Sequence, residues 1–129
     1  MSAAAKSLLV FVGAGLGANV RYWFGGWVAS RWGATFPWGT LAVNVSGSLL
    51  AGLVLGFLLE TQAPPAYRLL VVIGFLGGYT TFSTFSYETV TLILLRSYSL
   101  AAWNIAASCA MSFLGTWTGL LVVRSIIKG

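Results

Sequence analysis

Four long hydrophobic segments make up most of the chain and limit what it can fold into. They cover roughly residues 7–30, 37–60, 67–96 and 100–123, with short connections between them. Each segment has at least the ~20 residues that an α-helix needs to cross a bilayer. Only 7% of the residues are charged, whereas soluble domains average about 25%. Because lipid accepts helices that are apolar on every side, the sequence predicts an all-α membrane protein with a single transmembrane domain, residues 1–129.

The basic residues are divided almost evenly between the two ends of these helices. The short connections make consecutive helices alternate in direction, so both termini lie on one side. That side carries Lys6, Arg68, Arg124 and Lys128, and the other side carries Arg31 and Arg96, together with Arg21 if its side chain extends that way. Such a balance gives almost no positive-inside bias. It favours the hypothesis that the chain inserts in both orientations and assembles as an antiparallel pair.

Glycines recur at a spacing of four residues in three of the segments. Small residues at this spacing form a helix face on which a second backbone can approach closely in lipid. The sequence therefore predicts tight helix packing at these pairs: Gly13 and Gly17, Gly52 and Gly56, Gly115 and Gly119.

The third segment contains a run that is unfavourable for a continuous helix. Residues 77–86 read GGYTTFSTFS, two glycines followed by β-branched and hydroxyl-bearing residues. Thr80 or Thr81 would serve well as the N-cap of a new helix. We expect a broken helix near mid-membrane, with free carbonyls on one half and free N–H groups on the other. The alternative is a kinked helix whose hydroxyls bond their own backbone.

Phe82 and Phe85 follow this break and lie on one helix face. The edge of an aromatic ring is partly positive, so two rings turned edge-on to a pore could stabilise an anion that is losing water. Ordinary packing of two phenylalanines is the alternative.

The fourth segment carries polar residues at an unbroken spacing of four, which are Asn104, Ser108, Ser112 and Thr116. They form one stripe along about 18 Å of helix. Such a stripe offers hydrogen-bond donors without formal charge, which can replace an anion's hydration and still release it. Hydrogen bonding between helices is the alternative explanation.

Three further polar residues lie inside the apolar segments and are functional candidates. Asn44 adds an amide donor near mid-membrane. Arg21 suits either a polar vestibule that attracts anions or a structural role. Glu88 suggests proton coupling, but it is near enough to the interface for simple solvation.

The sequence lacks the parts of an enzyme. It has no histidine, two acidic residues and one cysteine, Cys109, so hydrolytic, metal-dependent and nucleophilic mechanisms lack their groups. The net charge of +5 is scattered, and no basic stripe could follow a nucleic-acid backbone.

Residues 77–85 closely resemble the signature GGxTTFSTF of the Fluc (CrcB) family of fluoride channels. Residues 17–22 (GANVRY), residues 37–44 (PWGTLAVN), and Ser108 with Ser112 also resemble the family's sequence. The resemblance extends over essentially the whole chain.

The resemblance implies an antiparallel, dual-topology homodimer in the bacterial inner membrane that exports fluoride passively from the cytoplasm. Phe82, Phe85 and Asn44 would line the pore, and Ser108 and Ser112 would belong to a polar track. The backbone carbonyls of Gly77 and Thr80, from both subunits, would hold a structural Na⁺. Asn104 stands where some members of the family have tyrosine at the head of the track, so the resemblance leaves open whether it lines the vestibule or has a structural role.

Two other classes fit a small four-helix protein. A proton-coupled small multidrug-type transporter is similar in size, but its first helix carries a glutamate, and residues 7–30 contain no acid. A scaffold subunit without transport would not need a polar stripe through the membrane.

Overall fold

The computed structural model describes residues 1–129, and its architecture is four long antiparallel helical spans. Helix α1 is Ala3–Trp32 and helix α2 is Trp38–Thr61. The third span, Pro65–Leu94, consists of α3 (residues 65–79) and α4 (Phe82–Leu94). Helix α5 is Tyr98–Lys128. All four spans are long and apolar enough to cross a membrane, which confirms the prediction of an all-helical chain with four spans and a broken third helix.

The turns between the spans are short and locally specified. Helix α1 ends at Gly33, whose positive φ of 86° is a backbone conformation that glycine adopts without steric cost. The N–H of Gly33 donates to the carbonyl of Ala29. The turn between α4 and α5 places Arg96 at a φ of 59°, a left-handed conformation that is uncommon for a residue with a side chain. These tight turns make neighbouring spans antiparallel, so the chain termini share one end of the bundle.

Close backbone contacts between glycine faces hold the bundle together. Helix α1 packs along α3, and α2 packs along α5. A methyl group on Gly13 or Gly17 would overlap backbone atoms of α3, and one on Gly52 or Gly119 would overlap backbone atoms across the α2–α5 contact. The structure confirms the close approach predicted from the spacing of these glycines.

The two halves of the third span differ in their backbone and in their packing. Most of α3, residues Arg68–Leu76, has the wider hydrogen-bonding pattern of a π-helix, which the sequence did not predict. Helix α4 has its main contact with α5 and a smaller one with α2. Since α4 lacks the glycine faces that join the other helices, polar contacts contribute more to its placement.

The glycine contacts predict a difference between two neighbouring positions of α1. Gly17→Ala places a methyl group against the backbone of Phe75 and Tyr79, whereas a methyl group at Gly15 meets no atom within 4 Å. We expect Gly17→Ala to lower the free energy of unfolding by about 1–3 kcal/mol. Gly15→Ala should leave the stability unchanged or raise it.

Thermal unfolding in detergent, followed as the fraction of protein that stays monodisperse after heating, measures both variants. Equal behaviour of the two variants would contradict the assignment of Gly17 to the α1–α3 contact.

Candidate functional site

The break in the third span is held open by one side chain of α2. Thr80 and Thr81 are extended, with ψ angles of 156° and 113°. The Asn44 amide donates to the Thr81 carbonyl at 2.9 Å and accepts from the Thr81 N–H at 2.8 Å. An unpaired backbone group is costly in a membrane. Asn44 therefore satisfies both backbone groups of the residue at which the helix is interrupted.

Two carbonyls at the break are left without their helical N–H partners. In a continuous helix, the carbonyl of Gly77 would accept from the N–H of Thr81, and that of Thr80 from the N–H of Thr84. The Thr81 N–H goes to Asn44 instead, and the Thr84 N–H goes to the Thr81 hydroxyl at 3.2 Å. The break thus presents backbone oxygens at the carboxyl end of α3, as expected from the sequence.

A second contact fixes α3 just before the break. Tyr79 is buried, and its hydroxyl lies 2.8 Å from the hydroxyl of Ser46. Ser46 donates to carbonyls of its own helix, so the Tyr79 hydroxyl is the donor between them. The sequence assigned Tyr79 no role, because the spacing of residues on α3 does not reveal what faces it on α2.

Helix α4 begins immediately after the break and carries the two predicted pore aromatics. The Thr81 hydroxyl caps α4, as one of the two threonines was predicted to do. The rings of Phe82 and Phe85 have centroids 5.5 Å apart at an angle of 52°. Phe82 is 79% exposed and Phe85 is half-buried, so the Phe82 ring is largely available at the surface of this single chain and the Phe85 ring only in part.

The polar stripe of the fourth span divides between two neighbouring helices. Asn104 and Ser108 are buried and face α4, where the Asn104 amide donates to the Thr89 hydroxyl at 2.9 Å. Thr116 faces α2 and donates to the Ser48 carbonyl at 3.0 Å. Ser112 is half-buried and has no hydrogen-bond partner within the chain. The alternative of helix–helix hydrogen bonding therefore holds for part of the stripe.

A cavity of about 970 Å³ opens at the end of the bundle that is opposite the termini. Its mouth is lined by the α1–α2 connection, residues 33–37, and by Ser97, and its walls reach inward to Thr81 at the break. Arg21 also lines the cavity. The cavity therefore connects one membrane face with the interruption of the third span.

Glu88 lies in the wall of this cavity and is held by α2. Its Oε1 accepts from the Thr40 hydroxyl at 2.7 Å, and its Oε2 is buried without a partner. No basic side chain forms an ion pair with Glu88, since both salt bridges of the chain involve Glu60 at the other end. Glu88 therefore lines the cavity and takes part in no ion pair.

Comparison with known proteins gives one consistent result. Residues 8–120 match the family model described as CrcB-like protein, Camphor Resistance (CrcB). A protein of Coxiella burnetii named fluoride-specific ion channel FluC is 45% identical over 92% of this chain and 98% of its own length. Proteins of the same name from Pelobacter propionicus and Geobacter sulfurreducens are 43% and 44% identical, over 100% and 92% of this chain and 98% and 97% of their own lengths.

The role of Asn44 at the break predicts an effect on stability. Asn44→Ala leaves the N–H and carbonyl of Thr81 unpaired, so we expect a loss of about 1–3 kcal/mol of unfolding free energy. Asn19→Ala is the matched control, because the Asn19 amide bonds only the Gly15 carbonyl of its own helix.

Resistance to thermal unfolding in detergent is the measurement, and Asn19→Ala should lose less stability than Asn44→Ala. Equal losses would contradict a special role of Asn44.

Proposed function

Because this chain belongs to the CrcB family, we propose that it is a fluoride-specific ion channel that exports fluoride passively from the bacterial cytoplasm and so lowers its toxicity. The observation that carries the proposal is its identity of 43–45% with proteins named fluoride-specific ion channels, over nearly their full length. The four apolar spans make it a multi-pass membrane protein, and the bacterial inner membrane is the proposed location. An ion channel is not an enzyme, which agrees with the absence of catalytic groups.

The fluoride path runs from the cavity along α4 and continues beyond the break in the third span. Phe82 and Phe85 turn ring edges toward the ion, and Asn44, Ser108 and Ser112 supply neutral hydrogen-bond donors. Thr116 belongs to the same stripe, but its hydroxyl hydrogen goes to the Ser48 carbonyl. The proposal is supported by the exposure of the Phe82 ring and by the cavity that reaches Thr81. Neutral donors suit a channel, because an ion bound by formal charge would leave slowly.

The working unit is an antiparallel homodimer of two such chains. Large aromatic and aliphatic side chains on α4 are exposed in the single chain, among them Phe82, Tyr87 and Leu94. In a dimer a second copy covers part of this surface and closes each path. The near balance of basic residues between the two membrane faces supports the antiparallel arrangement.

A structural Na⁺ at the centre of this dimer would be held by the carbonyls of Gly77 and Thr80 from both copies. Support comes from the two carbonyls whose helical N–H partners are diverted at the break. Oxygen donors suit a hard cation, and no cluster of acidic, histidine or cysteine side chains offers another metal site. The ion would supply positive charge to the carboxyl ends of the two α3 helices.

If the protein is a fluoride channel, we expect rapid passive fluoride efflux from liposomes that contain the purified protein. A fluoride-selective electrode measures the efflux, and chloride should stay inside. Phe82→Ile and Phe85→Ile should each slow the efflux by about tenfold or more, equivalent to about 1.4 kcal/mol of barrier. Phe113→Ile, at an exposed position of α5, is the matched control and should transport normally.

Fluoride efflux that stops when the proton gradient is collapsed would instead indicate the proton-coupled transporter, and no efflux would indicate a scaffold. Normal efflux from both Phe82→Ile and Phe85→Ile would contradict the role of the rings.

If the working unit is an antiparallel homodimer, fluoride efflux requires chains inserted in both orientations. One variant, Ala3→Lys with Thr61→Lys, adds charge at the end with the termini, and another, Ala34→Lys with Ser99→Lys, adds it at the opposite end. Each variant should insert in one orientation. We expect little fluoride efflux from either variant alone and restored efflux when the two are produced together. Full efflux from one fixed orientation alone would argue against the antiparallel pair.

A further inference from the structure

Asn104 is the most deeply buried polar side chain of the protein, with 1% of its surface exposed. It lies on α5 and faces α4, where its Nδ2 donates to the Thr89 hydroxyl at 2.9 Å. Its Oδ1 accepts from the Ser108 hydroxyl one turn further along α5, at 3.4 Å. Both polar atoms of the amide therefore have protein partners.

The direction of each hydrogen bond in this group follows from the atoms involved. An amide oxygen only accepts and an amide nitrogen only donates, so Ser108 donates to Asn104 and Asn104 donates to Thr89. Thr89 sends its own hydrogen to the Phe85 carbonyl at 2.8 Å. The result is a directed chain of hydrogen bonds from α5 into α4, and it ends at the backbone of Phe85.

This chain is the sole hydrogen-bonded link between α4 and α5. The other tertiary bonds of the segment run to α2, from Asn44 to Thr81 and from Thr40 to Glu88. No glycine face brings α4 close to a neighbour, and much of its apolar surface is exposed. The placement of α4 against α5 therefore depends strongly on the Asn104–Thr89 bond.

We propose that Asn104 is a positioning residue for fluoride permeation, which acts through Thr89 to hold α4 against α5 and to fix the placement of Phe85. The inference rests on the proposed function. Asn104 does not itself donate to the ion, because its amide is buried and bonded to protein. Asn104 is the first residue of the polar stripe, but its role differs from that of Ser108 and Ser112, which are proposed to donate hydrogen bonds to the ion.

The test is a double-mutant cycle measured by fluoride efflux from liposomes. Asn104→Leu and Thr89→Val remove the two ends of the bond with little change of size. Each should slow efflux by about threefold to tenfold, as expected for one interhelical hydrogen bond. The double variant should be no slower than the slower single variant. Thr89→Ser keeps the hydroxyl and should restore the wild-type rate.

Two readouts separate positioning from folding. At low protein density, the fraction of vesicles that release fluoride counts assembled channels, and the rate from those vesicles reports permeation. Loss of the bond should lower the rate. Thr61→Val, which removes a hydroxyl bonded only within its own helix, should leave the rate unchanged.

Three outcomes would overturn the inference. The first is additive slowing in the double variant, and the second is slowing in Thr89→Ser as large as in Thr89→Val. The third is a lower fraction of active vesicles with an unchanged rate, which would make Asn104 merely structural. Absence of efflux from the wild-type protein would instead overturn the proposed function, and this inference with it.

Discussion

The two hydrogen bonds between the Asn44 amide and the backbone of Thr81 are the interaction on which the rest of the site depends. A membrane helix cannot be interrupted unless the freed N–H and carbonyl find partners. One amide supplies both, because it carries a donor and an acceptor on the same side chain. By taking the Thr81 N–H, Asn44 also leaves the Gly77 carbonyl without its helical partner. A single residue of α2 thus stabilises the break and frees a backbone oxygen beside it.

The break changes how the second half of the third span is held. A continuous helix would place α4 through the rigidity of α3, but two extended residues separate the halves. Helix α4 is located instead by side-chain bonds from both neighbours, Thr40 to Glu88 from α2 and Asn104 to Thr89 from α5. Glu88 and Thr89 are consecutive residues, so these bonds hold two different faces of α4 against α2 and α5. The positions of Phe82 and Phe85 therefore depend in part on these polar contacts.

The sequence predicted the four spans, the break and a threonine cap at α4, because these depend on local composition. It also identified Asn44, Asn104 and Glu88 as unusual for a membrane interior. It did not predict their partners, since the residues of one helix reveal which side chains share a face but not the register of the opposite helix. Thr89 and Ser46 were missed for this reason, and the stripe of α5 was treated as one surface although Thr116 faces α2 and Asn104 faces α4. The π-type hydrogen bonding of α3 had no signal in composition.

A neutral path for an anion depends on which hydroxyl hydrogens are free to turn toward the ion. The Thr116 hydrogen is engaged by the Ser48 carbonyl, whereas Ser112 has no partner within the chain. Thr84 accepts from the Thr81 hydroxyl, so its own hydrogen is available in the cavity wall. The Ser108 bond to Asn104 is long, at 3.4 Å, and a charged acceptor forms hydrogen bonds roughly twice as strong as a neutral one. A small anion would therefore find free donors at Thr84 and Ser112 and a weakly engaged one at Ser108.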